Sequence, residues 1–295
     1  IIMMRLRQVI FILSLISSFV VILFPSLGIH QLDDPETSVV GNWRGVFYHK
    51  NIFGSVLAAG VILTIYSTCF SIGYRRNYYL AQTLFLIYLL IMSGSKTSTG
   101  ILILCGLIMV ALLKISLFRD NNKKFFLFSV FIVIFVGLIV ALIFIQQSSN
   151  EWLTDDSFTG RGLIWISLLS MVEDHWWTGF GFQSIFQIGV KSPLDYVFGG
   201  NLFLTTLSHS HNLYIEMLVS MGVIGLSIFI FVIIIYPIFQ VANANGTKRN
   251  IRYLCFTLML FTWLHGLLEV GVFDRDRIDW VIFLTAFSVL QRIQR

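Results

Sequence analysis

The sequence predicts an all-α polytopic membrane protein with about eight transmembrane helices and a long extracytoplasmic loop containing an amphipathic helix. Three observations lead there. Hydrophobic residues make up 57% of the chain and charged residues 12%, with a mean hydropathy of +0.84. One water-facing core would leave most of that apolar surface uncovered, so lipid must act as solvent. Long apolar runs recur between short polar links, without the alternation that membrane strands require. Basic residues gather in every second link, as an alternating topology demands.

The apolar runs 9–24, 52–70, 78–93, 99–117, 125–145, 220–239, 254–271 and 279–291 are the candidate spans. The first, third and last fall short of the ~20 residues that a ~30 Å hydrocarbon core needs, so flanking residues or local thinning must help. Residues 5–28 also read as a signal peptide, with Arg5, Arg7, an apolar stretch and the small residues Ser26 and Gly28. The later spans fit best when this first one is retained. The opening Ile1-Ile2-Met3-Met4 reads as a fragment or an ambiguous start, with upstream helices missing. Cys69, Cys105 and Cys255 lie in or beside apolar runs, and no disulfide framework is expected.

Orientation follows from lysine and arginine. With the N-terminus inside, the cytoplasmic segments carry Arg5, Arg7, Arg75, Arg76, Lys114, Arg119, Lys123, Lys124, Lys248, Arg249, Arg252, Arg292 and Arg295, with Asp120 their one acid. Both ends of the chain are then cytoplasmic. The chain divides into five spans (1–145), an outer loop (146–210) and three further spans (211–295). A loop of that length is expected to carry function. Within it Trp165, Leu168, Leu169, Val172 and Trp176 recur at helical spacing, which reads either as a helix on the membrane surface or as one packed on the bundle.

Cations left on the outer side need a reason. Arg44 lies in Gly41-Asn42-Trp43-Arg44-Gly45 and Lys50 in His49-Lys50-Asn51. Lys96 lies in Ser93-Gly94-Ser95-Lys96-Thr97-Ser98, and Arg161 in Thr159-Gly160-Arg161-Gly162. Asn51 and Ser98 are positioned to cap the following helices. Glycines admit a bulky anion, helix N-termini offer free N–H groups, and arginine presents a fork matched to phosphate oxygens. These features suit a phosphate-bearing ligand; pairing with outer acids or lipid headgroups is the plainer alternative.

A last stretch, Ser208-His209-Ser210-His211-Asn212 followed by Glu216, meets the membrane where the chain re-enters it. His211 can exchange a proton near neutral pH. Asn212 and Glu216, four apart, would share a helical face and could orient the imidazole or a substrate. Gly222 and Gly225 would allow close helix packing. A metal site is the competitor, because His209, His211 and Glu216 are potential ligands. Its spacing is poor, since His-x-His on a helix points the rings apart and no further ligand lies nearby, and no metal or cofactor is expected. Trp43, Trp152, Trp176, Trp177 and Trp280 read as an interfacial belt, with sugar stacking as the alternative for Trp43 and Trp152.

Taken together, Trp43-Arg44-Gly45-x-Phe47-x-His49-Lys50-Asn51-x-x-Gly54, Thr159-Gly160-Arg161, Trp177-x-Gly179-x-Gly181 and His211-Asn212 followed by Gly222-x-x-Gly225 resemble the O-antigen ligase and polysaccharide polymerase superfamily. The resemblance covers roughly residues 40–235. It implies a metal-independent, inverting glycosyltransferase of the bacterial inner membrane with its site on the periplasmic face. Its donor would be a glycan on a polyprenyl diphosphate and its acceptor lipid A-core or another lipid-linked glycan, with no nucleic acid partner. By motif, Arg44 and Arg161 would bind the diphosphate and His211 would act as general base; Lys50 and Lys96 join them on the charge argument alone. His209, Asn212 and Glu216 would support the site. A transporter or flippase for an anionic lipid and a non-catalytic scaffold remain the other classes.

Overall fold

The structure is a computed structural model describing residues 1–34, 37–114, 161–182, 184–186, 193–194, 207–243, 249–273 and 277–294. Among the described residues it is all-helical, with a single isolated bridge between Ile29 and Trp43. The helices are α1 (Ile2–Leu23), α2 (Lys50–Cys69), α3 (Gly73–Ser93), α4 (Lys96–Lys114), α5 (Arg161–Val172), α6 (Leu213–Phe229), α7 (Tyr236–Asn243), α8 (Arg249–His265) and α9 (Ile278–Gln294). Each predicted span overlaps a helix except 125–145, which lies outside the described residues, as does Trp152; the run 254–271 is helical only as far as His265. Among the described residues, three helices are long and apolar enough to cross a membrane: Ile2–Leu23, Lys50–Cys69 and Leu213–Ala242.

The chain forms two compact units. The first comprises Ile1–Asp120, Asn243–His265 and Gly271–Arg295. Its central helix is α2, which touches α1, α3, α4, α8 and α9 and is buried on nearly every side from Phe53 to Thr64. Small residues make that crowding feasible, because they let backbones approach closely. A Cβ at Gly60 would stand 2.7 Å from Ile10 of α1, and one at Gly54 would stand 2.4 Å from Ser95 beside α4. α3 buries Gln82, Leu86, Leu89, Leu90 and Ser93, spaced three to four apart as one helix face requires. It stops at Gly94, whose left-handed conformation (φ 59°) no bulkier residue adopts cheaply.

The second unit comprises Asn121–Ala242 and Gly266–Val270. Here α5 packs along α6, joining Ile164, Trp165, Leu168, Met171 and Val172 to Ile215, Leu218 and Val219 in one apolar core. α5 is thus packed on α6, while Trp176 and Trp177 stay exposed beyond its end.

The long apolar helix of this unit is broken where the sequence suggested close helix packing. Gly222 adopts φ 64°, ψ −172°, a region essentially reserved for glycine. Into the break runs the segment Trp176–Gly181. The N–H groups of Val223 and Ile224 donate to the carbonyls of Trp176 and Trp177, and those of Phe180 and Gly181 donate to Val219 and Ser220. Backbone groups freed by the break thus find protein partners, which an apolar surrounding demands. A Cβ at Gly222 would lie 2.3 Å from the Trp177 carbonyl, and one at Gly179 would lie 2.5 Å from the Ser220 backbone. The Trp177-x-Gly179-x-Gly181 and Gly222 motifs are two sides of one joint. Beyond it the helix passes through a π-helical stretch, Ile230–Ile235, into α7.

Candidate functional site

In the first unit, the motif segments meet at the end where α2 and α4 begin. His49, not Asn51, caps α2, with its side chain accepting the Asn51 N–H. Asn51 lies inside the helix and accepts from Ser95 Oγ at 3.4 Å. Ser98 likewise lies inside the first turn of α4, where its hydroxyl meets Ser95 Oγ at 2.9 Å and His265 Nε2 at 3.3 Å. These side chains lock helices together instead of capping them. Lys50 and Lys96 each open a helix, and Lys96 is exposed.

Arg44 sits on a loop pinned by its own N–H and that of Gly45 to the Gly28 carbonyl. Gly45 (φ 60°) is required there, since a Cβ would meet Ser17 at 2.4 Å. The Arg44 Nε donates to the Leu27 carbonyl at 3.0 Å, and its Nη1 stands 3.9 Å from Asp34. It lines a cavity of about 480 Å³ whose walls include Val20, Leu27, Val46 and Phe47. A cation beside an apolar wall suits an anionic head carried on a hydrocarbon tail.

Behind Arg44, His30 is 4% exposed. Its Nε2 accepts the Lys50 backbone N–H at 3.2 Å, so the proton resides on Nδ1, which donates to Asp34 at 2.7 Å. Burial pushes the His30 pKa down, against the raising influence of the Asp34 bond. The same bond holds the Asp34 carboxyl below its usual range.

In the second unit, Arg161 and His211 come together through a residue that the sequence reading did not single out. Arg161, the first residue of α5, donates through Nη2 to Glu269 Oε1 at 2.7 Å and through Nη1 to the Leu268 carbonyl. The other Glu269 oxygen lies 3.7 Å from His211 Nδ1, a buried nitrogen that makes no hydrogen bond. Glu269 is 3% exposed, and its charge offsets that of Arg161. A lone acid in the apolar run 254–271 was the available signal, because ionisable residues in such runs are costly without a role.

His211 is held in the left-handed region (φ 55°), which a non-glycine residue adopts only when its surroundings impose it. Asn212 caps α6, accepting from the N–H groups of Tyr214 and Ile215, and its amide donates to the Leu267 carbonyl at 3.0 Å. Glu216 accepts from the N–H and hydroxyl of Ser210, whose carbonyl takes the Trp165 indole N–H. Asn212 and Glu216 therefore fix the backbone that presents His211. His209 and His211 precede the helix, with ring centroids 4.1 Å apart, so the expectation that their rings diverge along a helix is corrected: α6 begins only at Leu213.

A family model described as O-antigen ligase matches residues 81–230, half of the chain. The matched stretch contains Lys96, Arg161, His211 and the Gly179–Gly222 joint, whereas Arg44 and Lys50 precede it and Glu269 follows it. No curated protein matches the chain.

Proposed function

This chain belongs to the O-antigen ligase family, and from that premise we propose that it moves a glycan from a polyprenyl-diphosphate donor to an acceptor hydroxyl. The acceptor is lipid A-core or another lipid-linked glycan. The reaction takes place on the periplasmic face of the bacterial inner membrane, with both ends of the chain in the cytoplasm. The observation that carries the reading is the joint engagement of Glu269 with Arg161 and His211.

The acceptor oxygen attacks the anomeric carbon, the bond from that carbon to the diphosphate breaks, and the configuration inverts. His211 takes the acceptor proton on Nε2, because its Nδ1 faces Glu269. A contact of 3.7 Å is too long for a hydrogen bond, but a small closure on substrate binding would make Glu269 the group that orients the ring. Arg161 spends two of its five N–H donors on Leu268 and Glu269 and turns the others to the leaving diphosphate. In the first unit, Arg44, Lys50 and Lys96 are the further cations we assign to diphosphate binding. No metal is needed in this reading, since guanidinium and ammonium groups can stabilise a diphosphate leaving group.

A transporter also breaks its helices to make a binding site. Here the groups freed at Gly222 are taken by Trp176–Gly181, so the break is filled by protein, and transfer remains the better reading. Purified protein incubated with a lipid-linked oligosaccharide tests it. A ladder of products identifies a polymerase, a single addition to lipid A-core a ligase, and no product with either acceptor rejects the proposal.

A further inference from the structure

Three potential metal-ligand atoms, one each from His209, His211 and Glu269, lie within 4.8 Å of one another. Two features of the sequence argued against such a site: rings diverging on a helix, and no Cys or third histidine near His209, His211 and Glu216. In the structure the rings do not diverge, and Glu216 is engaged by Ser210 instead. The two histidines sit in the turn before α6 with their rings adjacent, and the third ligand comes from a distant stretch, Glu269.

The separation of His211 Nδ1 from Glu269 matches an ion's needs better than a hydrogen bond's. Ligand atoms about 2.0–2.2 Å from a tetrahedral zinc ion stand roughly 3.4 Å apart. His211 Nδ1 and Glu269 Oε2 are 3.7 Å apart, and the nitrogen is buried without a hydrogen bond. Two imidazoles and one carboxylate are a donor set for Zn²⁺ or Co²⁺, not for Mg²⁺ or Ca²⁺, which prefer oxygen throughout. The opposing influence is Arg161, which holds the other Glu269 oxygen at 2.7 Å. It weakens the site enough to make occupation reversible, while keeping the carboxylate oriented as the partner of a ligand must be.

We propose that His209, His211 and Glu269 form a reversible transition-metal site, best suited to Zn²⁺, whose occupation inhibits transfer. The inhibition follows from the tautomer. A metal on Nδ1 of a neutral imidazole leaves the ring's proton on Nε2, the nitrogen assigned above to receive the acceptor proton. The ion thus blocks the base without entering the reaction. The inhibitory half of this proposal rests on His211 acting as base; the binding half does not.

The test uses the purified full chain, with Co²⁺ as an optical probe and Zn²⁺ as its competitor. The expected result is one Co²⁺ per chain with the visible absorption of a tetrahedral ion, displaced by Zn²⁺. His209→Ala and, as a variant of closer size, His209→Gln should each weaken Co²⁺ binding by about 10-fold or more. Both should move Zn²⁺ inhibition, measured against each variant's own metal-free rate, to higher concentration by the same factor. Absence of a Co²⁺ spectrum, or a spectrum unchanged in both His209 variants, overturns the site. Zn²⁺ binding that leaves transfer unaffected or raises it overturns the inhibition. Should His211→Ala keep full transfer, the base assignment fails while the Co²⁺ titration still decides whether the site exists.

Discussion

Glu269 and Arg161 form a buried ion pair, 2.7 Å apart, whose second carboxylate oxygen faces His211. One acid therefore holds the cation and faces the imidazole.

Removing that acid should separate its charge from its shape. Glu269→Ala leaves the part-buried Arg161 without a counter-ion, a loss of up to about 3 kcal/mol by the usual cost of breaking such a pair, read as a lower thermal midpoint. Glu269→Gln keeps an acceptor for Arg161 and should melt closer to wild type. Both should lower kcat more than they raise KM for the donor. Equal melting of the two variants with unchanged kcat would show that the pair is incidental.

The joint at Gly222 makes a prediction of a different kind. Gly222→Ala and Gly179→Ala each place a Cβ against backbone at 2.3 to 2.5 Å, at φ 64° in both cases, and backbone cannot step aside. Each should cost on the order of 2–3 kcal/mol and reduce folded yield. Gly100→Ala and Gly106→Ala, with nothing within 4 Å, should express and melt as wild type. Thermal unfolding in detergent compares them directly.

Acid should loosen the loop behind Arg44. The His30 pKa is lowered in the folded chain, so the unfolded chain binds that proton more readily. Its contribution is complete above the unfolded value of about 6.5 and declines as pH falls from there toward the folded pKa. The Asp34 contribution lasts to lower pH, being present above the ordinary carboxylate pKa and lost as pH falls through its depressed folded value. Protonating His30 also removes the acceptor for the Lys50 N–H. Hydrogen exchange at the Lys50 amide, corrected for its intrinsic rate, should stay protected above about pH 6.5 and lose protection only as pH falls below it through the lowered folded pKa. His30→Gln should show no such pH step; a wild-type amide already unprotected above about pH 6.5 would refute the neutral tautomer.

Much of this was legible in the sequence where the signal is local. Apolar runs marked the helices, since burial in lipid needs a continuous stretch, and the Trp165–Leu168–Val172 spacing marked α5. The His211-Asn212 pair was legible as a candidate site, and Asn212 proved to cap α6. What the sequence concealed was pairing across long separations. Glu269 lies 58 positions from His211 and 108 from Arg161, so no spacing rule joins them. The Gly222 break was hidden because glycine in an apolar run reads equally as close packing or as a kink. His49 was passed over as the α2 cap because Asn51 is the commoner capping residue.

The assignment of His211 as base is tested most directly by single-turnover transfer from a lipid-linked oligosaccharide, alongside a donor-binding measurement on the same preparations. His211→Ala should fold, bind donor nearly as wild type and lose transfer by about 10²- to 10⁴-fold. Arg161→Ala should weaken donor binding as well as transfer, because in the proposed reaction its fork would meet the diphosphate before and during bond cleavage. A His211→Ala chain that transfers at the wild-type rate across about pH 6 to 8 would contradict the account.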